Sequence, residues 1–235
     1  MQLNRLDWDS TFFGLEVWLL SLEPDDTNAS LTQAIEKCPF DVVYVFYATE
    51  LRKRFDPYLS ARGAFLADNR ITFRKVVASA RMPVQVCRID VVTPEVRKLA
   101  YESGYLSRFR KDPGFRRDFE RLYDRWVDRA VESARACIYG VPNDGGKLGG
   151  FITTEVTDDG LGKIGLLATD RTCRGQGIGT QLLAACDAFY SASGADCCEV
   201  VTQEENHAAC RLYEKNGYTV FSKQTVWHVW KKLRI

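Results

Sequence analysis

Residues 174–180, RGQGIGT, set Gly175, Gly177 and Gly179 directly against a helical pattern. A helix start leaves backbone N–H groups without partners and its dipole favours negative charge, so glycines there let an anion approach the bare backbone. The stretch reads as a cradle for a phosphate or pyrophosphate, with a plain glycine-rich turn as the alternative. Spacing excludes two familiar phosphate loops. A dinucleotide fingerprint beginning at Gly175 needs a glycine at 180, where Thr180 stands, and a Walker loop needs G-K-[ST] after four free positions.

The elements that must hold this loop lie on either side of it. KIGLLAT at 163–169 reads as a strand entering it, and Leu182, Leu183, Cys186 and Phe189 form one apolar helix face leaving it. ADCCEVVTQ at 195–203 is then expected to be a buried strand, and NHAACRLYEKNGY at 206–218 a helix with Asn206 and Tyr213 on one face. Upstream, CIYGVP, FITTEV and KIGLLAT, separated by turn residues, predict an antiparallel meander. DFERLYDRWVDRAVE at 118–132 is the clearest helix. Its Arg117, Arg121, Arg125 and Arg129 run beside Glu120, Asp124, Asp128 and Glu132, which reads as a solvated, self-paired face rather than an anion site. The order implies an α/β fold with a mixed sheet.

The start of the chain reads as a worn copy of its end. DVVYVFYATELRKRFDPYLSARGAF and DCCEVVTQEENHAACRLYEKNGY both run strand, helix, glycine, and a β-rich segment follows each. The join falls in ASARMPVQ, giving an N-terminal unit over 1–80 without a phosphate loop and a C-terminal unit over 81–235.

With 235 residues, a net charge of +1 and a pI near 7.5, the chain can bury a sizeable core and carries no broad field for nucleic acid or membrane. No apolar run spans a bilayer and the first residues lack a signal-peptide core, so a cytoplasmic protein is expected. The eight cysteines include no C-x-x-C, and with two histidines they predict reduced core thiols and no metal, with Cys173 beside the loop as a minor nucleophile candidate. Composition leaves a homodimer open.

Arg174, Gly177 and Gly179 fit [QR]-x-x-G-x-[GA], which resembles the acyl-CoA loop of the GCN5-related N-acetyltransferases (GNAT). Asn206, Ala209, Leu212, Tyr213, Gly217 and Tyr218 resemble that superfamily's second motif, in the same order and separation. Beyond these motifs, LDWDSTFFGLEV at 6–17, SRFRKD at 107–112 and IGLLA at 164–168 resemble the dTDP-fucosamine N-acetyltransferase (WecD-type) group, although the phosphate loop is fuller here than in some of its members. The resemblance implies a GNAT fold preceded by a degenerate GNAT-like half. It also implies transfer of an acyl group, acetyl or longer, from acyl-CoA to the amine of a nucleotide-linked (dTDP) amino-dideoxy sugar.

On the same resemblance, the backbone of Leu167, Ala168 and Thr169 would bond pantetheine, and the N–H groups of Arg174, Gly175, Gln176, Gly177, Ile178, Gly179 and Thr180 would hold pyrophosphate. Asn206 would bond pantetheine near the thioester and Tyr213 would protonate the leaving thiolate. A phenol of pKa about 10 keeps its proton at neutral pH, as a general acid must; a purely packing tyrosine is the alternative. Trp8, Phe12, Phe13, Arg108 and Phe109 could take the sugar nucleotide by stacking and charge pairing, or be core aromatics and a surface arginine. For the base, Glu155 and His207 stand against a water relay. The rival functions are a GNAT enzyme acting on another amine (amino acid, peptide or antibiotic) and a non-catalytic CoA-binding protein. An aminoacyl-tRNA-dependent transferase would want a basic tract that the sequence lacks.

Overall fold

The computed structural model describes residues 1–233. Its first part alternates short strands and helices: β1 (Gln2–Arg5), α1 (Asp7–Phe13), β2 (Val17–Ser21), α2 (Asn28–Lys37), β3 (Val42–Ala48), α3 (Arg52–Ala61) and β4 (Phe65–Val76). The second part opens with β5 (Cys87–Arg88), α4 (Pro94–Ser103), α5 (Arg108–Lys111) and α6 (Phe119–Glu132). The expected meander follows as β6 (Ala136–Pro142), β7 (Leu148–Val156) and β8 (Gly162–Thr169). The chain then runs through α7 (Ile178–Ala192), β9 (Cys197–Gln203), α8 (His207–Lys215) and β10 (Thr219–Trp230). Helices α1, α2, α4 and α5 and the early start of β10 are additions to what the sequence patterns predict.

All ten strands form one mixed sheet in the order β1-β2-β3-β10-β4-β9-β8-β7-β6-β5. The strands that end the two sequence repeats change places. β4 follows β3 and α3 in the chain but pairs with β9, whereas β10 follows β9 and α8 but pairs with β3; the two lie antiparallel to each other. Without β4, the facing edges of β9 and β10 would both lose their ladder partners. Residues 81–235 expressed alone are therefore expected to show no cooperative unfolding transition by circular dichroism, and a sharp melt like that of the whole chain would contradict this.

One face of the sheet packs α1, α4, α5 and α6 through Phe13, Leu99, Phe109, Phe115, Phe119, Leu122 and Val127. The other carries α7 and α8 through Ile178, Leu182, Leu183, Cys186 and Tyr213, with a separate cluster under α2 and α3. All eight cysteines are free thiols, and Cys38, Cys137, Cys173, Cys186 and Cys198 are buried. Among the described residues no helix is long and apolar enough to cross a membrane.

The charged face of α6 differs from the self-paired reading. Arg97 of α4 donates to Asp124 (2.9 Å) and Asp128 (2.8 Å), and the Tyr101 hydroxyl donates to Asp124 (2.6 Å). The acidic stripe is thus a seam between two helices. Arg125 does pair within α6, with Glu132 at 2.9 Å, while Arg121 reaches Asp118 and the Phe12 carbonyl.

Candidate functional site

β8 and β9 run parallel and pair only from Gly162–Cys198 to Ile164–Val200. Beyond that point β8 stays on β7 as far as Thr169, and β9 stays on β4 as far as Gln203, so the two strands splay apart. Among the described residues, the edge of β8 that carries Leu167, Ala168 and Thr169 on the side of the opening has no strand partner. A register shift between Ile152 and Thr154 puts a bulge at Gly165 and Leu166, and the Leu166 N–H turns to the Thr153 hydroxyl (2.8 Å).

At the wide end of the splay sits the glycine loop. Gly175 and Gly177 have φ of +79° and +80°, which a side chain would strain, and a Cβ at either meets nothing within 4 Å. Gly177 caps α7 without a side-chain bond, and the Gln181 N–H is the one that turns back to the Gly177 carbonyl (3.1 Å). Among the described residues the earlier amides of the turn donate no backbone hydrogen bond, as an anion cradle requires. Gly179 is needed for another reason: a Cβ there would come within 2.9 Å of Leu212, so its absence lets α7 and α8 close together behind the loop.

A cavity of about 410 Å³ passes through the splay and touches both faces of the sheet. On the α8 side it is lined by Asn206, Ala209 and Tyr213, and on the α6 side by Leu122, Tyr123 and Trp126. The predicted pair on α8 is therefore brought together. The Asn206 Oδ1 accepts from the Ala209 N–H (3.2 Å) as the helix cap, which leaves its Nδ2 for a ligand. The Tyr213 ring packs near Phe73 and Tyr218, and burial raises its phenol well above the ordinary range, so it keeps its proton. Among the described residues its hydroxyl has no hydrogen-bond partner in the protein.

The N-terminal unit builds the remaining wall with Trp8 and Asp9 from α1, Phe46 from β3, and Asp68 and Arg70 from β4. Arg108 of α5 completes it, with its guanidinium 4.1 Å from the Tyr44 ring and 4.3 Å from the Phe109 ring. Behind it stands a fully buried chain of polar groups. Burial lowers His228 to about 4, so the ring is neutral. Its Nδ1–H then donates to Asp112 (2.5 Å), and Nε2 is left to accept from Arg108 Nη1 (2.8 Å). Trp230 Nε1–H (2.9 Å) and the Gly114 N–H (2.8 Å) also donate to Asp112, fixing the far end. Among the described residues, neither Arg70 nor Arg108 has a carboxylate within ion-pair distance.

Of the aromatic residues expected at the acceptor site, Trp8 and Phe109 line the cavity. Phe12 and Phe13 do not. Phe13 is a core residue whose ring centroid lies 4.7 Å from that of Phe115, and Phe12 is held between Trp8 (5.0 Å, stacked) and the Arg121 guanidinium (4.0 Å). α1 explains the split: Trp8 and Phe12 follow one side of the helix and Phe13 turns inward. Glu155 lines a second cavity of about 300 Å³ with Arg129 and Thr153, which shares Trp126, Gly165 and Leu166 with the first but is not lined by Asn206 or Tyr213. His207 is exposed on α8 and lines neither cavity, and Cys173 is buried beneath the loop.

Residues 97–218, more than half of the chain, match the acetyltransferase (GNAT) family. No curated protein matches the sequence. Solved structures of similar fold include a GCN5-related N-acetyltransferase from Sphaerobacter thermophilus (17% identity, TM-score 0.50, 88% of this chain), of which the chain spans 66%. A protein assigned to the GNAT acetyltransferases from Novosphingobium aromaticivorans aligns over 99% of this chain and 89% of its own (16%, TM-score 0.57). A conserved protein of unknown function from Staphylococcus epidermidis aligns over 94% and 85% (12%, TM-score 0.61). The family takes acetyl-CoA as its acyl donor. With the splayed strands, the glycine loop and the matched span in agreement, the chain belongs to the acetyltransferase (GNAT) family.

Proposed function

We propose that the chain transfers an acyl group from acyl-CoA to the amine of a nucleotide-linked amino-dideoxy sugar, of the dTDP class. The observation that carries the acceptor assignment is the pair of guanidiniums, Arg70 and Arg108, which line one cavity beside Asp9 and Asp68 with no carboxylate in ion-pair contact with either among the described residues. Two cations held together in a partly buried wall repel each other, and burial together with Arg108 lowers the Arg70 guanidinium. A diphosphate removes that penalty and accepts several charge-assisted bonds from both. Trp8, 41% exposed at the rim, offers a face on which a base can stack.

The residues on the opposite side fit the donor. The open amides of 174–180 suit a pyrophosphate, and the unpartnered edge at Leu167, Ala168 and Thr169 suits an extended pantetheine bonded like an added strand. Asn206 Nδ2 is placed to hold the same arm. When bound, acyl-CoA supplies an electrophilic thioester carbon and a thiolate leaving group. Tyr213 holds its phenolic proton at the mouth of the splay and donates it from Oη to the departing sulfur. The apolar lining of Leu122, Leu166 and Val226 limits water at that point.

A panel of dTDP- and UDP-aminosugars, amino acids, a lysine peptide and an aminoglycoside, each offered with acetyl-CoA and with longer acyl-CoAs, tests the acceptor. A dTDP-aminosugar is expected to give the highest kcat/KM. Faster turnover of a peptide or aminoglycoside would overturn the assignment. Arg108→Gln is expected to raise the acceptor KM by about 10- to 100-fold, the loss of a charged hydrogen bond, with the KM for acyl-CoA unchanged. An equal rise in both would place Arg108 in the fold rather than at the acceptor.

A further inference from the structure

We propose that Asp68 is the general base of the reaction, taking a proton from the acceptor's ammonium group before the amine attacks. The inference rests on the cavity being the acceptor site and goes beyond it by naming the atom that removes the proton. Asp68 stands on β4 just past Arg70–Gln203, the last pair that β4 makes with β9, so its side chain meets the splay where the sheet opens. A register shift places Ala67 as the extra residue of a bulge opposite Val226 and Trp227, the local device that re-aims a neighbouring side chain. Phe46, Val226 and Asp68 form one cross-strand row on β3, β10 and β4, and all three line the cavity.

Asp68 is 6% exposed, and its Oδ1 is buried without a hydrogen-bond partner among the described residues. Leaving such an oxygen unmet in a core is costly unless a ligand or proton meets it. The groups that face it are Arg70 on its own strand, Arg108 and Lys111 of α5, Gln203 of β9 and Tyr123 of α6. Asp9 of α1 shares the cavity, and Lys111 is itself bonded to Glu205 (2.7 Å). Burial outweighs the attraction of Lys111, Gln203 and the two arginines and holds the carboxyl at about 6. A carboxylate so placed is ionised at neutral pH yet basic enough to accept a proton.

The step balances without redox change. An N–H bond of the ammonium breaks and an O–H bond forms on Asp68; the lone pair released on nitrogen forms the C–N bond to the acyl carbon, the C–S bond breaks with the Tyr213 proton passing to sulfur, and the second N–H proton of the attacking nitrogen returns to the Tyr213 phenolate. Asp68 returns its proton to solvent afterwards. Neither Glu155 nor His207 lines this cavity, and neither is needed for the step.

Asp68→Asn tests the assignment, assayed with whichever amine of the panel turns over fastest. A wrong sugar assignment then shows as a different best amine and leaves the base measurable. In the wild type, kcat/KM is expected to fall on the acid side with an apparent pKa near 6. In the variant that limb disappears, activity at pH 7 drops by about 10²-fold or more, and the deficit shrinks as pH rises towards the amine's own pKa. Acetyl-CoA affinity stays unchanged by calorimetry. The melting midpoint at pH 8 stays at or above wild type, because a carboxyl raised on folding is destabilising while ionised, and that cost is relieved only as pH falls from about 6 towards the ordinary carboxyl range. Retention of the limb near 6 with little loss of rate would overturn the proposal. So would a lowered midpoint with a pH-independent loss, the mark of a structural residue.

Discussion

Tyr213→Phe is expected to lower kcat by about 10²-fold or more while the affinity for acetyl-CoA changes little. The ring is held between Phe73 and Tyr218, with centroids 5.7 and 5.8 Å away, and phenylalanine keeps both contacts. What the change removes is a hydroxyl that no group among the described residues accepts from and that burial keeps protonated. Tyr218→Phe is the matched control. Tyr218 is equally buried, but its hydroxyl accepts from the Cys198 thiol (3.4 Å) and it lies outside the cavity, so kcat should hold. Thermal unfolding recorded on both variants separates chemistry from packing. Near-normal kcat in a stable Tyr213→Phe, with chemistry limiting, would return the residue to the core.

Gly177→Glu is expected to weaken acetyl-CoA binding by about 10²-fold or more, since like charges brought face to face cost several kcal/mol. The new carboxylate would project from the turn whose amides are proposed to hold the anion, at a position where a Cβ meets nothing within 4 Å. The left-handed φ of +80° adds a strain of roughly 1–2 kcal/mol. Gly160→Glu controls for that strain: its φ is +81°, in the turn between β7 and β8, and acetyl-CoA affinity should be unaffected. Calorimetry on the two variants and the wild type settles whether charge at 177, rather than backbone strain, is responsible.

The sequence signals for these two candidate sites are local. A loop, its helix and a capped helix with Asn206 and Tyr213 fit within 45 residues of chain, 174–218, and periodicity plus glycine placement suffice to read them. The meander β6 to β8 is legible for the same reason, each strand being joined to the next by a turn. The acceptor wall was not. Asp68 and Arg70 sit in a strand whose alternation reads as an ordinary polar face, and only the insertion of β4 between β10 and β9 turns that face into a cavity. The one signal in the sequence was two charged residues two apart, Asp68 and Arg70, in an otherwise β-rich stretch.

His228 was hidden by distance. TVWHVW reads as a strand with one histidine, and its partners Asp112 and Arg108 lie 116 and 120 residues away. The aromatic pair Phe12 and Phe13 shows the reverse limit: the resemblance offers them as binding residues with core aromatics as the alternative, and the turn of α1 sends Phe13 to the core and leaves Trp8 at the rim. The acidic stripe of α6 was misread because its true partner, Arg97, lies on a helix that sequence periodicity did not reveal.

The most direct test is a single-turnover mixture of the protein, acetyl-CoA and a dTDP-aminosugar, quenched over time and assayed for free thiol and for amide in the same samples. Amide is expected to appear with the thiol, at the same rate and in equal amount, and neither to form when Tyr213→Phe replaces the wild type at the same times. Thiol release without amide, or no release at all in a folded protein that binds acetyl-CoA, would contradict acyl transfer to the sugar amine.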